Sequence, residues 1–256
     1  FIMKVNVSGV EEWKQFLPFG NHLTVICVKP LASGGFVVCG HVTQPDTNGQ
    51  DVFWATFTSD GALSNYNQEG DSDIDHAYDI LENQSGNFVL SWKSSHESLL
   101  SCFQPNGQLV WERNLQDQDK YEYGTELSVV EDSTGDIWVA GGYNFMNITY
   151  DPQILQFSGN GILKHQMTYE AAGFGPKTLV VAPNGSVSLY FANNYLGDLI
   201  HLKLSAQGTI DSRDSVFWGA IRAGQMAIQG ESRIFLLQGN FFEGHGITVQ
   251  PIQQSG

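Results

Sequence analysis

The sequence predicts an all-β chain in which one four-stranded antiparallel unit is written out several times, and three observations predict it. Apolar runs flank turns that end in glycine, most clearly at Val52-Phe53-Trp54-Ala55-Thr56-Phe57-Thr58-Ser59-Asp60-Gly61-Ala62-Leu63 and from Leu99 to Trp111 around Pro105-Asn106-Gly107. An Asp-Gly or Asn-Gly pair between such runs signals a hairpin, because a type I′ turn needs positive φ at both central residues. The turn glycines Gly9, Gly61, Gly107, Gly161, Gly208 and Gly256 are 52, 46, 54, 47 and 48 residues apart. Between them lie further apolar runs, so that each unit reads as an inner strand pair, a and b, and an outer pair, c and d. A period of about 50 residues is that of a propeller blade. The expected architecture is a single β-propeller over 1–256 with four-stranded blades, five in number, with six as the alternative.

In chain order, Phe1 to Val7 and Glu11-Glu12-Trp13 form the outer half of a partial blade over 1–20. Repeats follow at about 21–70, 71–116, 117–169, 170–216 and 217–256. Their b strands are expected at Phe36 to Cys39, Phe88 to Ser91, Ile137 to Ala140, Val187 to Tyr190 and Ile234 to Leu237, each preceded by a tight a–b hairpin. The N-terminal pair is expected to complete the last unit by strand exchange, which would remove an exposed sheet edge. Asp51, Glu97, Asp151 and Asp198 stand ten residues before a turn glycine, opening strand c. Such a repeated carboxylate is read as a hydrogen-bond acceptor that sets blade geometry. Trp13 and Trp111 both stand four residues after the glycine and are read as packing.

The chain has 12 Lys plus Arg against 27 Asp plus Glu, a formal charge of −15. Such a surface repels phosphate backbones, which argues against a nucleic-acid partner. No apolar stretch reaches the roughly 18 residues of a membrane span, so no membrane insertion is expected. Three cysteines, Cys27, Cys39 and Cys102, are too few for a disulfide framework; Cys27 and Cys39 stand symmetrically about a turn and read as buried thiols. The chain does not start with methionine, which fits a processed form or part of something longer. Four sequons, beginning at Asn6, Asn83, Asn147 and Asn184, matter only in a eukaryotic secretory route; the compartment stays open, with an extracellular setting slightly favoured.

A glycine turn, strand b, an acid, strand c ending in an aromatic, then Ser-Asp-Gly or Pro-Asn-Gly and a tryptophan: this pattern resembles the degenerate propeller repeats of quinoprotein-like and bacterial surface proteins. The resemblance covers nearly the whole chain and implies the fold. Propellers of this kind act as enzymes, lectins, cofactor carriers or docking scaffolds. No Trp-Asp ending recurs, nor does a tryptophan-docking motif in every blade, so a quinone is not implied and the cofactor stays unknown.

Alternating strand direction puts the b–c and d–a loops on one face. Aromatics beside amides recur there: Tyr143, Asn144 and Phe145; Asn194 and Tyr195; Asn240, Phe241 and Phe242; with Trp218 on a d–a loop. Rings supply stacking area and amides supply directed hydrogen bonds, as a sugar or other small-molecule site requires. His22, His41, His76, His96 and His245 map to the same face, His41 and His96 being taken into the candidate ligand site. Imidazoles near Asp75, Glu97 and Glu243 suit metal binding or acid–base work, but no zinc-type spacing occurs and the metal stays unknown. Asp71-Ser72-Asp73-Ile74-Asp75 carries alternating carboxylates of the kind calcium uses, without the glycine and distal glutamate of an EF-hand; a solvated acidic loop is the plainer reading.

No phosphate cradle, nucleophile elbow or activated cysteine is found. The expectation is therefore a non-catalytic, lectin-like protein that binds a carbohydrate or other small molecule. The alternatives are a scaffold that docks a protein partner, and a metal-dependent hydrolase or lyase using His41, His76, His96 and Glu97.

Overall fold

The computed structural model describes residues 1–6, 8–17, 23–44, 49–71, 73–94, 97–115, 127–145, 149–169, 174–181, 186–193, 198–205, 209–217, 226–229, 232–236 and 249–252, some of the later strands by backbone alone. All regular structure among them is β. Strands β3 (Leu23–Pro30), β4 (Phe36–Thr43), β5 (Gln50–Phe57) and β6 (Leu63–Glu69) form one antiparallel meander. The same order recurs in β7 (His76–Glu82), β8 (Phe88–Lys93), β9 (Ser98–Phe103) and β10 (Leu109–Asn114). It recurs again in β11 (Ser128–Glu131), β12 (Ile137–Phe145), β13 (Thr149–Phe157) and β14 (Leu163–Thr168), and in β15 (Phe174–Val181), β16 (Val187–Asn193), β17 (Asp198–Leu204) and β18 (Ile210–Phe217). A three-stranded sheet of β19 (Met226–Gln229), β20 (Ser232–Leu236) and β21 (Val249–Ile252) follows, and β1 (Ile2–Val5) pairs with β2 (Glu11–Gln15) in a two-stranded sheet. Four complete blades and two partial sheets are compatible with five blades. The chain divides into two compact units, Phe1–Leu115 and Gln116–Gly256.

In the first unit the period-two alternation of the inner strands divides one strand between two cores. Val37, Cys39, Val52 and Trp54 pack with Ile80, Leu90 and Phe103 of the next blade, while Val38, Phe53, Ala55 and Phe57 pack on the other side with Ile2, Leu17 and Phe36. Strands β5, β8 and β9 are consequently buried on both faces and read as unbroken apolar runs, whereas β6 and β10 carry mixed, mostly exposed residues. In the second unit Trp138, Ala140 and Ile154 meet Leu179, Leu189, Ile200 and Leu202 in the same manner.

The turns are longer than the two-residue type I′ expected from the sequence. At Thr58–Ala62 the Thr58 amide donates to the Ala62 carbonyl at 2.9 Å, and the Gly61 amide donates back to the Thr58 carbonyl at 3.0 Å. Gly61 takes the positive φ, 88°, and the ladder slips beside it between Thr56 and Phe57, a bulged turn. The same pair of bonds closes Asn6–Val10, Leu31–Gly35, Asn83–Asn87, Gln104–Gln108, Asp132–Asp136 and Ser158–Ile162. In most of these the first side chain selects the bulged form by accepting main-chain amides: Asn83 Oδ1 takes those of Ser85 and Asn87, and Asp132 Oδ1 those of Thr134 and Asp136.

The tryptophans behave as packing. Trp13 stacks on Phe36 with centroids 5.7 Å apart and lies over Gly61, and Trp111 is buried. Cys27 and Cys39 are register partners with sulfurs 2.9 Å apart, both thiols free and buried.

Candidate functional site

Within the first unit, the described residues place chemistry at the end of the blade where β4 runs toward β5 and β6 runs toward β7. Two main-chain bonds assemble it. The Gln50 amide donates to the Asp73 carbonyl at 2.8 Å and the Asp75 amide to the Gln50 carbonyl at 2.7 Å, so the segment after β6 lies parallel to the start of β5. This splice brings His76, at the head of β7, against His41 of β4: their rings meet edge to face, centroids 5.1 Å apart at 90°. Both are half-buried, and His41 Nδ1 is buried without a hydrogen-bond partner. Burial lowers both pKa values from the ordinary imidazole range; the neighbouring His76 adds to the effect on His41, and Lys93, the register partner of His76, adds to that on His76. In both rings burial thus favours the neutral form.

The same splice faces two carboxylates toward each other. Asp51 is 4% exposed, and its Oδ2 accepts from the side-chain amides of Gln44 and Gln68, each at 2.5 Å. Asp75 is 1% exposed, and its Oδ2 accepts from the Asp71 amide at 3.3 Å. Gly70 stands beside them at φ 150°, a conformation that favours glycine; a Cβ built there would overlap Asp75 Oδ2 and sit 2.7 Å from Asp51 Oδ1. Burial pushes Asp75 up to about 6, with the Asp71 amide opposing and the carboxylates of Asp71, Asp51 and Asp73 adding. Glu69 is likewise raised, by burial and then by Glu112 and Asp51.

Of the residues named from sequence as the ligand site, His41 is the one whose side chain is described. Tyr143, Asn144 and Phe145, expected on a loop, belong instead to β12, paired with Asp151, Tyr150 and Thr149. The β-favouring Thr149-Tyr150 pair facing Asn144-Phe145 explains the longer ladder. His96, Asn194, Tyr195, Trp218, Asn240, Phe241 and Phe242 lie outside the described residues, as do His22 and His245. Glu97 is exposed and accepts from Asn114 Nδ2 at 2.9 Å in its own blade. Among the described residues no three His, Cys, Asp or Glu side chains form a metal-ligating group. Sequence reasoning noted Asp51 and Asp75 separately and missed their meeting, because the Gln50 to Asp75 bridge that joins them has no signature in either segment.

No family model matches the sequence, and no curated protein does. Solved structures do. The WD40 domain of Neurospora crassa Pan2 is similar at TM-score 0.55 and 11% identity, covering 89% of this chain, which spans 61% of that one. A glucose dehydrogenase is similar at TM-score 0.57 and 10% identity, covering 91% of this chain and 84% of that one, and the polysaccharide lyase Uly1 at 0.52 and 12%, covering 90% and 57%. Enzyme names among these neighbours overturn the expectation of a non-catalytic protein. The physical reason is that nucleophile elbows and phosphate cradles are strand-to-helix devices, so their absence from an all-β chain says nothing about catalysis. With blades in meander order and these neighbours, the chain is a β-propeller protein.

Proposed function

We propose that this propeller binds a small polar molecule of the carbohydrate class, with His41 and His76 among its contacts. The observation that carries the reading is the His41–His76 pair, with a buried His41 Nδ1 that lacks a partner, on β4, which has a core on either side, and β7, which packs on one of them. A neutral imidazole offers one donor and one acceptor, and a sugar hydroxyl offers both in return. Edge-to-face rings add apolar area at small entropic cost. The neighbours named for glucose and polysaccharide chemistry contribute the fold alone, so the ligand class rests on this chemistry. The aromatic and amide residues Tyr143 to Phe145, Asn194, Tyr195, Trp218 and Asn240 to Phe242 remain a second proposed contact set.

A glycan array followed by titration of the best ligand tests this. His76→Ala is expected to weaken binding at least tenfold, with the far-ultraviolet spectrum unchanged. Unchanged affinity in both His41→Ala and His76→Ala overturns the site. Product analysis of the same mixtures reports whether the bound sugar is turned over. A chain that binds no glycan but captures a defined protein through this face favours a docking scaffold instead.

A further inference from the structure

Beyond the imidazole pair, we propose that the corner formed by Asp51, Asp75 and Gln50 is a binding site for one hard divalent cation of the calcium kind. Three buried oxygens there have no hydrogen-bond partner: Asp51 Oδ1, Asp75 Oδ1 and Gln50 Oε1. They come from two separated segments, the start of β5 and the loop before β7, and the parallel splice at Gln50 and Ile74 holds those segments together. Asp51 Oδ1 and Asp75 Oδ2 both converge on the space beside Gly70. The remaining Asp51 oxygen is saturated by Gln44 and Gln68, which fixes the carboxylate with its free oxygen turned to that space.

Energetics decide what belongs there. A buried carboxylate without a counter-charge is strongly disfavoured, and two facing each other are more so. Among the described residues no lysine or arginine pairs with either; the ion pairs found are Lys4–Glu12, Lys29–Asp79 and Lys164–Asp136. Asp71 and Asp73 add further negative charge at the rim, and Asp71 also turns the loop by accepting the Asp73 amide at 2.8 Å. Two carboxylates and an amide oxygen are an all-oxygen set, which suits calcium and its flexible coordination of six to eight oxygens. It does not suit zinc or copper, which want nitrogen or sulfur. With only two carboxylates in the inner set, water completes the coordination.

The test is isothermal titration of the chelator-stripped full chain with calcium chloride, beside melting curves, with no sugar present, so that it reads independently of the glycan experiment. Expected are one ion per chain, a melting temperature that rises with calcium, and affinity at least tenfold weaker in Asp75→Asn. The exposed Asp60→Asn control is expected to bind as the parent does. Should Asp75→Asn fail to fold, Gln50→Met removes the side-chain amide, its oxygen included, at similar length and is expected to weaken calcium several-fold; unchanged affinity in it overturns the proposal. So does a parent chain with neither heat nor melting shift, and a melting temperature raised by Asp75→Asn in calcium-free buffer would then identify the corner as two carboxylates sharing a proton. Tighter binding of magnesium chloride than of calcium chloride likewise overturns it.

Discussion

Lys29 of β3 and Asp79 of β7 form an ion pair across two successive blades, Nζ lying 3.0 Å from Oδ1 and 3.2 Å from Oδ2. Burial alone would lower the lysine pKa, but the Asp79 charge and hydrogen bond win and raise it. Removing the cation leaves a buried carboxylate short of its counter-charge. Lys29→Met is expected to cost about 1–3 kcal/mol, less than for a fully buried pair because the lysine is partly exposed. The double variant with Asp79→Asn should recover part of that loss, as read by urea unfolding of the three proteins.

Trp54 is 1% exposed and tilts against Phe103 of the neighbouring blade, centroids 4.4 Å apart, yet its Nε1 has no hydrogen-bond partner. Trp54→Ala is expected to cost about 3–5 kcal/mol through the cavity it leaves. Trp54→Phe removes the orphaned donor along with some volume, and the two effects oppose each other, so its cost should stay below about 1.5 kcal/mol. Chemical denaturation of both variants checks the order.

The thiols of Cys27 and Cys39 are buried, and burial followed by the hydrogen bond shared with Cys27 pushes Cys39 well above its ordinary value. Thiolate is the reactive form, so the folded protein should react slowly with a disulfide reagent at pH 8. Three equivalents, Cys102 included, are expected to titrate once denaturant is added. Rapid reaction of any one thiol in the native state would show that its strand opens.

Asp132 anchors the turn between β11 and β12. Its Oδ2 accepts the Trp138 indole at 2.8 Å while Oδ1 takes the Thr134 hydroxyl at 2.6 Å and two main-chain amides. Burial favours the protonated acid, but these donors prevail and hold its pKa below the usual carboxylate value. A depressed folded pKa contributes stability that is present above the unfolded value, about 3.9, and lost as pH falls through the folded one. Asp132→Asn is expected to cost about 1–3 kcal/mol at pH 7, since its amide nitrogen opposes the indole donor, and to flatten the acid limb of stability below pH 4. Melting curves between pH 2.5 and 7 read both effects.

Much of the fold was legible because propeller blades advertise their period. The glycines at 61, 107 and 161 mark c–d turns, and b strands begin at Phe88, Ile137 and Val187 as the apolar runs indicate. The turn type was less legible, since Asp60-Gly61 reads as a two-residue loop until Thr58 and its own hydrogen bonds are counted. Tyr143 to Phe145 read as a loop because Gly141-Gly142 breaks the apolar run, while cross-strand pairing with Thr149 to Asp151 carries the strand past it. The carboxylate corner depends on a non-local splice, and local pattern does not report which of many acids it brings together. His41 and His76 could be assigned to one face from strand direction, but their contact follows from the Gln50 bridge.

The five-residue turns each close by main-chain bonds on their own first residue, so much of a hairpin tip's form is set locally, although the tips at Gly61 and Gly107 also touch a neighbouring element. Such self-sufficient tips are natural insertion points: lengthening a loop costs only about 0.6 kcal/mol per doubling. Asn160-Gly161 therefore offers a position at which a peptide tag, or new chain termini, could be installed while the stacked interiors of Trp54 and Trp138 stay as they are. Read as engineering stock, the chain is a series of cassettes joined at handles, with the handles exchangeable one at a time.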